Sequence, residues 1–139
     1  MPLTGTLARS AAESPVWLCH GPDAPSAARD GWAALGARLL PCRLDGGRVD
    51  PGSVLGALGD AGLTRVFCEG GGQLAASLLA ADLVDEIHVF SAGLALGAEG
   101  HPALGALGVE RLDDAPRFTL VGVSDDGGDV AHVWRRAGV

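Results

Sequence analysis

Apolar and polar positions run along this chain in two rhythms, and each change of rhythm marks an element. Val16-Trp17-Leu18-Cys19-His20 is a compact apolar run closed by Gly21-Pro22, which predicts a strand followed by a breaker. From Ser26 to Gly36, Ala28, Trp32 and Leu35 recur at helical spacing, the pattern of one buried helix face. Ala37-Arg38-Leu39-Leu40-Pro41-Cys42 reads as a second strand, with Pro41 pointing to an edge or an early end, and Asp45-Gly46-Gly47-Arg48 reads as a turn. Asp50 and Pro51 open the next helix as N-cap and first helical residue, Val54, Leu55 and Leu58 form its apolar side, and Gly62 ends it. Arg65-Val66-Phe67-Cys68 is a β-type run too short for a helix, and Glu69-Gly70-Gly71-Gly72 follows at once. Gln73 to Leu83 has high helix propensity with Leu74, Leu78 and Leu79 on one side, and Asp82 and Asp85 mark its exit. Glu86-Ile87-His88-Val89-Phe90 then alternates, as a half-buried strand does.

Strand and helix thus alternate from residue 16 to 90, and short βα units of this kind build a parallel sheet with helices on its faces. Residues 1–15 read as an arm or loop, and residues 91–116, rich in glycine, as a long loop with at most one helical turn. Over 117–136, Phe118–Val123 and Val130–Trp134 flank Ser124-Asp125-Asp126-Gly127-Gly128-Asp129, the pattern of an antiparallel hairpin. The expected fold is α/β: mostly parallel βα units completed by a C-terminal hairpin into a mixed sheet, with residues 1–139 forming one domain.

Composition narrows the function. Hydrophobic residues make up 47% and charged residues 19%, the balance of a chain that folds. A net charge of −7 works against a sequence-independent grip on nucleic acid, which needs Lys and Arg to replace phosphate counterions. An anionic small ligand stays open, because backbone N–H groups bind phosphate whatever the overall charge. Cys19, Cys42 and Cys68 are odd in number and widely spaced, so free thiols in a reducing compartment are expected rather than a disulfide framework. The first residues lack a basic-then-apolar signal, and no apolar run approaches the ~20 residues of a membrane span, so a cytoplasmic chain without membrane contact is expected. His20, His88, His101 and His132 have no ligand spacing, and no metal site is expected.

The triple glycine carries the candidate chemistry. A strand ending at Glu69, three residues without side chains and a helix opening at Gln73 leave backbone N–H groups open to an oxyanion. The sequence is neither G-x-G-x-x-G nor a Walker A motif. Glu69 stands where open α/β sheets place ligand-contacting groups, and a carboxylate accepts hydrogen bonds from ribose hydroxyls or ring N–H groups. Three glycines are equally able to form a tight βα turn with no ligand, and Glu69 to be a solvated or helix-capping side chain.

The stretch Val66-Phe67-Cys68-Glu69-Gly70-Gly71-Gly72-Gln73-Leu74, continuing to Leu83-Val84-Asp85-Glu86, resembles the EGG-x-L to L-V-D-E segment of the reductase domain of the bifunctional riboflavin-biosynthesis deaminase-reductase family. The resemblance implies a dihydrofolate-reductase-like fold and NADPH-dependent reduction of 5-amino-6-(5-phosphoribosylamino)uracil to its ribitylamino form. It implies that Gly70, Gly71, Gly72 and Gln73 lie on the cofactor side and Glu69 on the substrate side, with no side-chain nucleophile or metal, because the nicotinamide carries the hydride chemistry. It also implies a homodimer. Nothing before Val16 resembles the domain's opening segment, and no H-x-E or P-C-x-x-C pattern of the zinc deaminase half occurs. The alternative is therefore a truncated, noncatalytic nucleotide-binding or interaction domain of the same fold.

Overall fold

The computed structural model describes residues 3–138. The chain divides into two compact units, Met1–Phe67 and Cys68–Val139.

In the first unit, strand β1 (Trp17–His20) pairs in parallel with β2 (Arg38–Pro41), Trp17 opposite Arg38 and His20 opposite Pro41. Helix α2 (Ser26–Ala34) connects them, and its one buried residue, Trp32, is only 4% exposed. Around Trp32 gather Ala8, Ala11, Val16 and Ala37, with Leu18, Leu35 and Leu39 packed against them. Ala8 belongs to a short helix, α1 (Thr6–Ser10), in the segment where an arm or loop is expected. The signal for it is weak because its one buried residue is the small Ala8, and a helix this short exists only where tertiary packing holds it. On the strands, the Arg38 guanidinium lies 4.8 Å from the centre of the Trp17 ring, a cation–π contact between residues in register.

Beyond β2 comes a minimal hairpin of β3 (Leu44–Asp45) and β4 (Arg48–Val49). Gly46 and Gly47 both take positive φ, at 54° and 77°, which a two-residue turn matched to strand twist requires. Asp50 then caps α3 (Pro51–Asp60): its Oδ1 accepts from the Gly52 N–H at 3.0 Å, and its Oδ2 accepts from Arg43 at 3.0 Å.

The run Arg65–Cys68 is not a strand. Residues 65–70 lie in no sheet, and Val66 and Phe67 are 49% and 73% exposed. Their β-type composition suits a pleated surface, and among the described residues the run pairs with no other strand.

The second unit opens with α4 (Gly72–Ala80) and carries a three-stranded antiparallel sheet of β5 (Glu86–Ser91), β6 (Phe118–Asp126) and β7 (Asp129–Arg136), in the order β5-β7-β6. Single 3₁₀ turns at Gly97–Glu99 and Leu112–Asp114 interrupt the long connection between β5 and β6. The register slips by one residue between Leu120 and Gly122, leaving Val121 in a bulge. Directly opposed residues share a face, so Ile87, Val89, Leu120, Val123, His132 and Trp134 lie together on one side and Glu86, His88 and Arg135 on the other. Among the described residues the pairings make three small sheets, where a single mixed sheet is expected. The class is α/β, with one parallel pair and otherwise antiparallel strands. Among the described residues no helix is long and apolar enough to cross a membrane.

Helices α2, α3 and α4 end alike. The residue after each C-cap is left-handed, and the next N–H reaches back to the carbonyl five residues earlier: Ala37 to Trp32, Leu63 to Leu58 and Leu83 to Leu78. Gly36 and Gly62 supply the left-handed residue in two of them, but Asp82, at φ 60°, does so in α4. Its carboxylate accepts from Arg136, whose Nε also donates to the Val84 carbonyl at 2.9 Å while its backbone N–H donates to Asp85 O at 2.8 Å. Arg136 thereby ties the exit of α4 to the end of β7.

Two outcomes follow from this packing. Trp32→Ala should lower stability by about 3–5 kcal/mol in urea unfolding, and a loss under about 1 kcal/mol would show that Trp32 is not the centre of the first core. On the sheet, the Arg135 guanidinium donates twice to Glu86 and holds its carboxyl below the ordinary value of 4.5, with His88 adding a smaller pull. The stability from this pair is present above pH 4.5 and disappears as pH falls through the lowered value. In Arg135→Leu the Glu86 carboxyl should titrate closer to 4.5 by NMR, and an unchanged titration would remove Arg135 as the cause.

Candidate functional site

Glu69, Gly70, Gly71, Gly72 and Gln73 lie at the entrance to α4, within the second unit. The helix begins without a capping side chain: Gly71 is the N-cap residue, and its carbonyl accepts from Leu74 N at 3.0 Å and Ala75 N at 3.2 Å. N–H groups of a first helical turn have no partner in the helix's own ladder, and here no Ser, Thr, Asp or Asn side chain covers them. From residue 69 to 80 the sequence has no Lys or Arg, so an anion there would be held by backbone donors and the helix dipole.

The three glycines are not equivalent. None takes a positive φ, so conformational freedom does not explain them. A Cβ on Gly72 would stand 2.9 Å from the Ala103 carbonyl oxygen and 3.0 Å from that of Pro102, because the backbone of residues 102–105 crosses the first turn of α4. Gly105 faces it: its N–H donates to the Gly72 carbonyl at 2.9 Å, and a Cβ there would meet Gly72 O at 3.3 Å and Gln73 Cα at 3.4 Å. A Cβ on Gly70 would meet the Leu74 side chain, which is flexible. Gly71 alone has open space, with nothing within 4 Å of a would-be Cβ and an extended backbone at φ −64°, ψ 169°. One side of the helix entrance is closed by the 102–105 backbone, and the side at Gly71 is open.

Glu69 is exposed and does not sit at the end of a strand as the sequence suggests, since residues 65–70 form none. Its carboxylate makes no ion pair among the described residues. Gln73 is exposed in the first turn, and its carbonyl accepts from Ser77 Oγ at 2.9 Å. Sequence reasoning missed Gly105 and the segment around it, whose role is visible only once two stretches distant in sequence meet. A cavity of about 270 Å³ in the same unit lies at the other end of α4, lined by Leu79, Asp82, Leu107, Val109 and Pro116 among others. It is separate from the helix entrance, since α4 is roughly 13 Å long.

Residues 8–132 match the RibD C-terminal domain family. The chain belongs to this family. The RibD riboflavin biosynthesis protein of Bacillus amyloliquefaciens is 25% identical over 118 residues, covering 84% of this chain and 31% of the relative. That of Escherichia coli strain K12 is 34% identical over 84 residues, or 60% of this chain and 23% of the relative. The chain therefore spans about a third or less of the curated relatives it matches. Among solved structures, RibD of Acinetobacter baumannii superposes with a TM-score of 0.76 at 22% identity, over 99% of this chain and 35% of that one. A pyrimidine reductase-like protein of Corynebacterium diphtheriae superposes with a TM-score of 0.69 at 17% identity, over 88% of this chain and 50% of that one. The α/β fold is thus shared with the matching third of the solved RibD chain, and it fits the dihydrofolate-reductase-like class. In this RibD C-terminal domain the Glu-Gly-Gly-Gly motif forms an uncapped helix entrance braced by the 102–105 backbone.

The glycines separate by substitution. Gly72→Ala should cost about 1–3 kcal/mol in denaturant unfolding, because the obstacle is backbone on both sides. Gly71→Ala should change stability by less than about 0.5 kcal/mol. Equal costs at the two positions would contradict the close approach of residues 102–105.

Proposed function

We propose that this chain is an NADPH-dependent reductase that converts 5-amino-6-(5-phosphoribosylamino)uracil to the ribitylamino form in riboflavin biosynthesis. The observation that carries this reading is the uncapped entrance of α4, open at Gly71 and preceded by Glu69, in a chain matched to the RibD C-terminal domain over residues 8–132. A phosphate of the cofactor fits there, since the open side of Gly71 lets an oxyanion approach backbone N–H groups closely. The bound nicotinamide supplies the hydride.

The chain's own residues bind and orient. N–H groups of Gly70, Gly71, Gly72 and Gln73 donate to a phosphate, each such charge-assisted bond contributing about 1.5–3 kcal/mol. The helix dipole adds only about 0.3–1 kcal/mol, so placement of the donors decides affinity. Glu69 accepts hydrogen bonds from hydroxyl or ring N–H groups of the phosphoribosyl-pyrimidine substrate and fixes its register. The reaction is cytoplasmic and involves neither nucleic acid nor membrane. Two copies pair through the face of the β5-β7-β6 sheet that carries Val89, Leu120 and Val123, of which Val123 is 61% exposed.

One observation favours a second reading, a noncatalytic nucleotide-binding or interaction domain. Gly72 is explained by the backbone beside it, and a turn of this shape persists without a ligand.

Calorimetric titration should show NADPH binding at micromolar concentration, lost in Gly71→Val, which keeps the wild-type melting temperature. Absence of binding at millimolar NADPH would leave the noncatalytic reading. With cofactor bound, Glu69→Gln should raise KM for the aminouracil substrate at least about tenfold, the loss of one charge-assisted hydrogen bond. Wild-type turnover equal to that of Glu69→Ala would remove Glu69 from the site. Light scattering should give twice the 14.0 kDa chain mass, falling to a single chain in Val123→Asp; a single-chain mass for the wild type would exclude the dimer.

A further inference from the structure

Of the three glycines before α4, Gly72 is explained by the 102–105 backbone and Gly71 borders open space, which leaves Gly70. Its φ is not positive, so its conformation does not call for glycine, and the reason is spatial. The three atoms nearest to a Cβ on Gly70 all belong to Leu74: Cδ2 at 2.6 Å, and Cβ and Cγ both at 3.3 Å. The far methyl turns aside easily, but Leu74 Cβ moves only with the helix. Leu74 is the third residue of α4, and its N–H donates to the carbonyl of the N-cap Gly71 at 3.0 Å. Side chains on a helix lean toward its N-terminus, which carries the Leu74 isobutyl group back onto Gly70, one residue outside the N-cap. It serves no core there: the buried residues of α4 are Ala76 and Leu79, and Leu74 is 49% exposed.

From this geometry we infer that Leu74 is a positioning residue for the cofactor phosphate: resting on Gly70, it fixes the chain that leads into Gly71, so that the backbone donors at the open side are in place before an oxyanion arrives. The inference rests on the reading of this entrance as the NADPH site. An apolar contact between the residue before an N-cap and the first turns of the helix sets the angle at which a chain enters. Here the outer partner has no side chain, and the leucine rests on backbone instead. Donors held in advance bind more tightly, because their ordering is already complete in the free protein. The same contact limits residue 70, since a side chain there displaces the leucine and releases the turn. Leu74 acts through the backbone and donates nothing to the phosphate itself.

The test compares the full wild-type chain with Leu74→Ala, Gly70→Ala and the double variant by NADPH calorimetry and by amide order parameters. Leu74→Ala should weaken NADPH binding at least about fivefold. A leucine that only stabilised the helix would lower the melting temperature and leave the dissociation constant of the folded chain unchanged. Gly70→Ala should weaken binding by a similar factor, and adding it to Leu74→Ala should weaken it no further, because both changes undo one contact. Wild-type affinity in Leu74→Ala, or factors that multiply in the double variant, would overturn the inference. In Leu74→Ala the Gly71 amide should also loosen, its order parameter falling from about 0.85 toward about 0.6. If the wild-type chain binds no NADPH, the cofactor reading fails on its own and the order parameter still decides: a fall keeps Leu74 as the residue that holds the turn, and an unchanged value rejects it.

Discussion

Everything at the entrance of α4 depends on two backbones coming within hydrogen-bonding distance where neither carries a side chain. Gly72 and Gly105 face each other, the N–H of one bonded to the carbonyl of the other, and that contact seats residues 102–105 on the first helical turn. A helix that starts without a capping side chain leaves its first donors to be satisfied elsewhere. Bracing by backbone fixes where those donors point. A run of three like residues therefore performs unlike tasks: Gly72 permits packing, Gly70 faces a movable leucine, and Gly71 leaves space.

The same unit places strain at the other end of that helix. Left-handed geometry at Asp82 is costlier than at the glycines that end α2 and α3. Arg136 offsets this by gathering the Asp82 carboxylate, the Val84 carbonyl and, through its own N–H, the Asp85 carbonyl into one set of bonds. The site at one end of α4 and the clip at the other share a rigid helix of nine residues.

Legibility in the sequence followed how local each cause is. The Asp50-Pro51 helix start, the Gly62 stop and the hairpin around Gly127-Gly128 are set by a few adjacent residues, and the structure has them where the sequence places them. Arg65–Cys68 misled because strand propensity records how a side chain suits a pleated, half-covered surface, and this run pairs with no strand among the described residues. Helix α1 was invisible because its one buried residue is the small Ala8. At the site, the motif residues were legible by type and order, but which glycine is open and which is pressed by backbone depends on Gly105, more than thirty positions away.

Strand order in the second unit has a consequence for how the chain is made. The middle strand, β7, is the last of the three in sequence, flanked by β5 and β6. As the polypeptide emerges from the ribosome, β5 and β6 have no partner, and both wait as open edges until residues 129–136 appear. The hairpin then forms and captures β5 across the long connection between them, a late and non-local closure. Over that interval the unpaired edges expose the nascent chain to aggregation.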